Sequence, residues 1–351
     1  MGSIAHTCPD CGTEVGPGLL SCPSCARLLH ADQLKKLAVD GEAAERDGNV
    51  QGALMAWREA LSLLPAESRQ HAVILQKVKA LSAQVEDGGE VPHSSAWKKG
   101  TAGLGGVALL LFKFKTVVLL ALTKGKFLLL GLTKLPTLLS MLVYVGVFWN
   151  LWGWKFILGV ALSIYIHEMG HVWMFHRYGI PTAAPMFIPG VGAFTRGKHY
   201  PVTAVEAARV GMAGPMWGMA AAGICYVVYV STGEQYWGAI AQIGAYINLL
   251  NLIPLFFFDG GQGIRSLTRG QRWLVALVCL GMYYFTGHAG EFTQAHRQNP
   301  LLLVIAISAG ARAMLGEVPR ERDDFGLFQY VLLILTLGAL SAIDVSVGAA
   351  R

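Results

Sequence analysis

A long apolar stretch that contains an HExxH motif constrains this chain more than any other feature. Residues 154–178 read WKFILGVALSIYIHEMGHVWMFHRY, which is long enough to span a membrane as a helix. On a helix, His167 and His171 lie four positions apart and project from one face at a spacing that suits one zinc ion. Glu168 lies beside them and is placed to act on a metal-bound water.

HExxH alone is a weak signal, because two histidines and one glutamate occur at this spacing by chance in many helices. The surroundings strengthen it here. A carboxylate or an imidazole is costly inside a hydrophobic span, so such residues favour a functional interpretation. The alternative is a helix whose polar side chains only hydrogen-bond to neighbouring helices. A third ligand elsewhere in the apolar spans would favour the metal site.

Composition places the chain among membrane proteins. Of its 351 residues, 54% are hydrophobic and 14% are charged, which is too apolar for an ordinary soluble protein of this size. The predicted fold class is an all-α polytopic membrane protein of about six to seven transmembrane helices. A small cytosolic zinc ribbon and a helical hairpin precede them. The predicted spans lie at 136–152, 154–178, 204–231, 236–258, 272–288, 299–316 and 326–346.

Charge and the N-terminal sequence predict the orientation. Residues 1–30 contain no basic segment followed by an apolar core, so we expect no secretory signal peptide and a cytosolic N-terminus. Alternating spans then place most Lys and Arg residues on the cytosolic side, as the positive-inside rule requires. The formal charge of +6 therefore does not indicate nucleic-acid binding. We expect a multi-pass protein of the bacterial inner membrane.

Four cysteines near the N-terminus predict a second metal site. The sequence CPDCGTEVGPGLLSCPSC contains two Cys-x-x-Cys pairs with ten residues between them. The thiolates of Cys8, Cys11, Cys22 and Cys25 can close a tetrahedral structural zinc site. Disulfides are the competing interpretation, which a cytosolic location disfavours. A segment this short cannot build a core, so the metal would supply its folding energy.

Residues 32–86 show helical periodicity with a break at Leu64-Pro65, which predicts a helical hairpin or three short helices. They resemble one tetratricopeptide unit. The positions that carry this resemblance are Gly41, Ala53, Trp57, Ala60 and Pro65. A generic helical spacer is an equal alternative, because one repeat cannot bury its faces alone. In both cases, the ribbon and helices are typical of a docking or regulatory module that binds a protein partner.

Asp259, in the sequence INLLNLIPLFFFDGGQG, is the candidate third ligand. With the orientation above, His171 and Asp259 lie at similar depths, because each precedes a cytosolic arginine by six residues. The competing interpretation is the polar end of a helix. Two histidines and one carboxylate, with water in the fourth position, form the usual open catalytic zinc site. Pro254 and the following glycines predict a partly unwound helix that turns Asp259 and Asn251 toward the zinc.

Together, HEMGH in one span and NLIPLFFFDG two spans later resemble the site-2 protease family of intramembrane zinc metalloproteases, over about residues 136–265. The resemblance implies that His167, His171 and Asp259 bind the catalytic zinc and that Glu168 is the general base. It also implies that Asn251 holds the substrate backbone or the developing oxyanion. The implied reaction is hydrolysis of a membrane protein or membrane peptide near the cytosolic face, by Glu168-assisted attack of zinc-bound water.

The predicted domain organisation follows from these assignments. It comprises a four-cysteine zinc ribbon (1–30), a tetratricopeptide-like segment (31–87), a linker (88–100), a basic amphipathic or interfacial membrane segment (101–135), an intramembrane metalloprotease core (136–265) and C-terminal transmembrane helices (266–351). The predicted cofactors are one catalytic and one structural zinc ion, and the predicted partners are the lipid bilayer, a membrane substrate and a protein bound by the N-terminal module.

Two other functions fit parts of the sequence. The first is a non-proteolytic membrane zinc transporter or scaffold with a partner-binding ribbon, in which the glutamate of HExxH would have no purpose. The second is a different membrane zincin that uses a downstream glutamate ligand.

The loop at 180–201 is apolar but rich in Pro and Gly, so we expect a re-entrant loop or short hairpin whose edge pairs with an extended substrate. The alternative is an ordinary cytosolic loop.

Overall fold

The computed structural model describes residues 6–87, 134–189, 192–255, 258–288 and 299–345. The predicted linker at 88–100 and nearly all of the predicted basic segment at 101–135 lie outside the described residues. The described part is mostly helical, with two short antiparallel strand pairs. The prediction of a mainly helical chain is confirmed.

The chain forms two compact units. The N-terminal unit comprises Met1–His93, Phe175–Pro181 and Gly197–Thr203. The second unit, called here the membrane unit, comprises Ser94–Met174, Thr182–Arg196 and Ala204–Arg351.

The N-terminal unit begins with a small cysteine-rich fold. Strands β1 (His6–Thr7) and β2 (Glu14–Val15) pair in antiparallel fashion. Turns after each Cys-x-x-Cys pair bring the chain back, since the Gly12 N–H donates to the Cys8 carbonyl and the Ala26 N–H to the Cys22 carbonyl. Cys8, Cys22 and Val15 form its small buried cluster.

Three helices follow in the same unit: α1 (Ala31–Arg46), α2 (Val50–Ser62) and α3 (Arg69–Asp87). Asn49 caps α2 by accepting a hydrogen bond from the Gly52 N–H at 2.9 Å. Helix α1 passes close to α2 at Gly41, where an added Cβ would lie 2.7 Å from the Trp57 ring. Of the two arrangements that the periodicity predicts, three short helices is the one observed.

The remaining two segments of this unit pack on those helices. The buried Arg58 side chain donates to the Tyr178 carbonyl at 3.0 Å and to Ser82 Oγ at 3.3 Å. Gly179 has a φ of +64°, and an added Cβ would lie 2.8 Å from Leu54 Cβ. Gln51 donates to the His176 carbonyl at 2.6 Å. The tetratricopeptide-like helices therefore contact residues 176, 178 and 179 within this unit.

The membrane unit contains eight helices in the described residues. They are α4 (Leu135–Trp152), α5 (Trp154–Arg177, whose last residues belong to the N-terminal unit), α6 (Ala204–Thr232), α7 (Gln235–Asn251), α8 (Asp259–Gly263), α9 (Arg269–His288), α10 (Pro300–Leu315) and α11 (Asp324–Ser341). Among the described helices, α5, α6 and α11 are long and apolar enough to cross a membrane. The part of α4 at Leu135–Trp149 and the whole of α10 are apolar but shorter.

Helix α7 ends earlier than the predicted span at 236–258. It stops at Asn251, and the next helix begins only at Asp259. Pro254 explains the break, because it has no N–H to donate and disfavours the helical conformation at Ile253. The Tyr330 hydroxyl, fully buried on α11, donates to the freed Leu252 carbonyl at 2.5 Å. The Leu252 carbonyl, which follows the end of α7, is thus hydrogen-bonded inside the fold.

The apolar loop contains a β-hairpin, one of the two forms predicted for it. Strands β3 (Met186–Ile188) and β4 (Gly192–Phe194) pair in antiparallel fashion, with Phe187 opposite Ala193. Phe187 is buried against Tyr144 of α4, and its N–H donates to Ser140 Oγ at 3.1 Å. The hairpin is therefore anchored to α4.

Candidate metal centre

Three predicted ligand side chains meet in the membrane unit. His167 Nε2 lies 3.1 Å from Asp259 Oδ2, and His171 Nε2 lies 3.3 Å from the same oxygen. The two Nε2 atoms are 3.2 Å apart. His167 and His171 are buried, whereas the Asp259 side chain is 22% exposed. The three metal-facing atoms thus form a nearly equilateral triangle.

The triangle has the dimensions of a zinc site. Zinc bonds of about 2.0–2.1 Å in a tetrahedron separate neighbouring ligand atoms by about 3.3 Å. The three distances observed here, 3.1, 3.2 and 3.3 Å, match one face of that tetrahedron. The fourth vertex is the position that catalytic zinc sites leave to water or substrate.

The hydrogen bonds of the two Nδ1 atoms show that both imidazoles direct the lone pair of Nε2 toward the candidate metal position. His171 Nδ1 lies 2.9 Å from the Val210 carbonyl, which can only accept, so this nitrogen carries the hydrogen. His167 Nδ1 lies 2.8 Å from Asn248 Oδ1, also an acceptor. With hydrogens on both Nδ1 atoms, each neutral ring has its lone pair on Nε2. This arrangement orients histidines in known metal sites.

Local structure explains how distant residues converge. Helical periodicity places His167 and His171 on one face of α5. Asp259 is the first residue of α8, directly after the segment that Pro254 keeps out of helical conformation. A helix continuing through residues 252–258 would place Asp259 about 12 Å beyond Asn251 along its axis.

Glu168 is adjacent to His167 in α5 and is only 5% exposed. Within the described ranges it makes no hydrogen bond to a protein group. A buried carboxylate needs a polar partner.

Helix α6 faces the centre with glycines. An added Cβ on Gly214 would lie 2.2 Å from His171 Nε2 and 2.7 Å from His167 Nε2. On Gly218 it would lie 2.1 Å from Asn248 Oδ1, and on Gly211 it would lie 2.8 Å from the Asp259 carbonyl oxygen. These glycines recur at helical spacing, so one face of α6 lies directly against the ligands and their supports.

Sequence reasoning selected Asn251 but missed Asn248 and these glycines. Asn251 is the half-buried last residue of α7, and its predicted role in substrate binding stays a prediction. The amide that contacts His167 belongs to Asn248, one turn earlier. An amide within an apolar span and the small-residue spacing of Gly211, Gly214 and Gly218 were the available signals.

The four N-terminal cysteines also converge, within the N-terminal unit. Cys8 Sγ lies 3.6 Å from Cys25 Sγ, and Cys11 Sγ lies 3.5 Å from Cys22 Sγ. All four sulfurs lie within 4.8 Å of one another. Zinc–sulfur bonds of about 2.3 Å place sulfurs about 3.8 Å apart in a tetrahedron. This cluster is compatible with a zinc ribbon.

Comparison with known proteins gives one match. The family model described as peptidase family M50 matches residues 155–234, which include the HExxH motif and the glycine face of α6 but end before Asp259. No curated protein and no solved structure matched the chain in the same comparisons. The resemblance that the motifs indicated is therefore confirmed: residues 155–234 are similar to peptidase family M50, the site-2 protease family, which is zinc-dependent.

Proposed function

We propose that this protein is a zinc-dependent intramembrane endopeptidase that cleaves a membrane-spanning or membrane-associated peptide near the cytosolic face. One observation carries the proposal. Three donor atoms at zinc-like separations lie beside a buried glutamate, and both histidines have their Nδ1 hydrogens engaged elsewhere. These three ligand atoms all carry lone pairs and lie 3.1–3.3 Å apart. A polar cluster that only stabilises the fold would not need three hydrogen-bond acceptors so close to one another.

The residues divide the chemistry as follows. His167, His171 and Asp259 would hold zinc, which when bound supplies Lewis-acid activation of a water molecule and of the scissile carbonyl. Glu168 takes the proton of the attacking water and returns it to the leaving amine. The low exposure of Glu168 keeps bulk water away from this transfer.

The hairpin is the proposed binding surface for an extended substrate. A two-stranded sheet offers a free edge to a third strand, and Met186, Ile188 and Phe194 expose apolar side chains beside it. Asn251 is proposed to hold the substrate backbone. We further propose a multi-pass topology of six to seven helices, counted at about 20 residues each, in the bacterial inner membrane with a cytosolic N-terminus. The ribbon and helices would bind a protein partner.

Glu168→Gln is expected to keep zinc and lose proteolysis. Glutamine occupies the same volume but cannot accept a proton, so cleavage should fall by about 10²–10⁴-fold, the usual contribution of a general base. Zinc content should stay at two ions per chain, since none of the proposed ligands changes. The measurement compares membrane-peptide fragments by proteomics between cells that express the wild type and the variant, with zinc quantified in the purified proteins.

Glu234→Gln is the matched control, because Glu234 is an exposed residue at the start of α7. It should leave both the fragments and the zinc unchanged. Wild-type cleavage by the Glu168→Gln protein would contradict the assigned role. Zinc retention with no cleavage of any membrane peptide by the wild type would contradict the proposed function itself.

A further inference from the structure

We propose that Asn248 is a positioning residue that fixes the orientation and tautomer of His167 and thereby sets the zinc affinity of the membrane site. The inference rests on the proposed function in that it takes the cluster of His167, His171 and Asp259 to be a zinc site. Asn248 is 2% exposed and lies on α7, one turn before the residue that the family motif selects.

The orientation of the Asn248 amide follows from its two partners. Its Nδ2 lies 2.7 Å from the Gly244 carbonyl, and this oxygen can only accept. The NH₂ group must therefore face Gly244, and the carbonyl oxygen Oδ1 must face His167 Nδ1, 2.8 Å away. The flipped amide would place an acceptor against an acceptor at one end.

This orientation determines the state of His167. Because Oδ1 only accepts, His167 Nδ1 must donate, and the lone pair of the neutral ring must lie on Nε2. Nε2 is the atom that faces Asp259 and His171. Without Asn248, the ring would be free to rotate and to carry its hydrogen on Nε2, in the position where a metal binds. Loss of such an outer partner typically lowers metal affinity 10–100-fold.

Gly218 makes room for this amide. An added Cβ there would lie 2.1 Å from Asn248 Oδ1 and 2.5 Å from Nδ2. Asn248 is confined between α6, the Gly244 carbonyl of its own helix and His167. A change on α6 that never contacts the histidine should therefore disturb it through Asn248.

The direct test measures zinc affinity in full-length protein purified in detergent. Asn248→Leu keeps the side-chain volume and removes the acceptor, so zinc affinity of the membrane site should fall 10–100-fold in competition with a chelator. Cobalt separates the two sites, because cobalt on four thiolates shows sulfur-to-metal charge transfer and cobalt on nitrogen and oxygen ligands does not. Binding at the ribbon should be unchanged.

Asn248→Asp distinguishes positioning from a purely structural role. The carboxylate still accepts from His167 Nδ1–H, but it sets an acceptor against the Gly244 carbonyl and buries a charge. We expect lower thermal stability with zinc affinity much closer to that of the wild type. Asn248→Leu should show the reverse order, with the smaller stability loss and the larger affinity loss. A structural role would make affinity follow stability.

Two control variants complete the comparison. Gln242 is a buried amide on the same helix that donates to the Ile343 carbonyl at 2.7 Å, far along α7 from the histidines. Gln242→Leu should lower stability and leave zinc affinity unchanged. Gly218→Ala should reproduce the affinity loss of Asn248→Leu, whereas Gly223→Ala, in the same helix with nothing within 4 Å of the added Cβ, should not.

Wild-type zinc affinity at the membrane site in Asn248→Leu would overturn this inference while leaving the proposed protease intact. An affinity loss of equal size in Gln242→Leu would also overturn it. If the wild-type protein itself binds no zinc or cobalt outside the ribbon, the proposed function fails first. The two failures are therefore separable in one titration series.

Discussion

Gly214→Ala is expected to remove zinc from the membrane site and abolish proteolysis. The new methyl carbon would lie 2.2 Å from His171 Nε2 and 2.7 Å from His167 Nε2. That volume is where the ligand lone pairs converge, and a zinc ion about 2.0–2.1 Å from each nitrogen has no room beside a methyl group. Because both metal activation and ligand geometry are lost, the effect should exceed that of Glu168→Gln.

The ligands cannot move aside cheaply. His171 is tied by its Nδ1–H to the Val210 carbonyl, one turn before Gly214 on the same helix, and His167 is tied to Asn248. Alanine would otherwise favour α6, since glycine costs a helix interior about 0.5–1 kcal/mol. Any loss of zinc or of proteolysis therefore comes from the metal site and not from a weaker helix.

The measurement is zinc content of the purified protein together with cleavage of a membrane substrate. Zinc should fall from two ions per chain to one, the ribbon ion. Gly223→Ala is the matched control, because its Cβ meets nothing within 4 Å, and it should keep both ions and full activity. Two zinc ions in the Gly214→Ala protein would show that the metal does not lie between α5 and α6.

Asp323→Ala should cause a large loss of stability at a position outside the candidate metal site. Arg209 of α6 donates twice to the Asp323 carboxylate, at 2.8 Å each, and both side chains are only 8% exposed. Asp323 also caps α11 by accepting from the Gly326 N–H at 2.8 Å. Removing the carboxylate breaks a buried ion pair, which typically costs about 3–5 kcal/mol.

The effect should depend on pH in a defined direction. Burial raises the pKa of Asp323, but the hydrogen bonds and charge of Arg209 outweigh it and hold this pKa below its usual value. A depressed pKa in the folded state means stabilisation that is present above the unfolded value of about 3.9 and is lost as pH falls through the folded value. The difference between wild type and variant should therefore shrink below about pH 4.

Unfolding in detergent, followed by heat or denaturant across pH, measures both effects. Arg322→Ala is the control, because Arg322 pairs with Asp324 on the surface and both side chains are about 70% exposed. Such pairs contribute about 0–1 kcal/mol. Equal losses for Asp323→Ala and Arg322→Ala at neutral pH would contradict the assignment of Arg209 and Asp323 as a buried link between α6 and α11.

Helix ends were the least predictable part of the fold. The sequence predicted one span through 236–258, whereas α7 ends at Asn251. Pro254 indicated the break, but a proline inside α6, at Pro215, does not interrupt that helix. Beyond α7, the Tyr330 hydroxyl on another helix satisfies the Leu252 carbonyl. No local pattern contains that information.

The sequence by itself determined the features that depend on spacing along one helix or one loop. His167, Glu168 and His171 share a helix, and the four cysteines share a short segment, so periodicity and turn chemistry were sufficient to predict them. Only the tertiary structure decided which groups surround these ligands. Asn248 and Gly214 lie against atoms of other helices at distances that packing sets, and their spacing along the sequence does not say which atoms they meet.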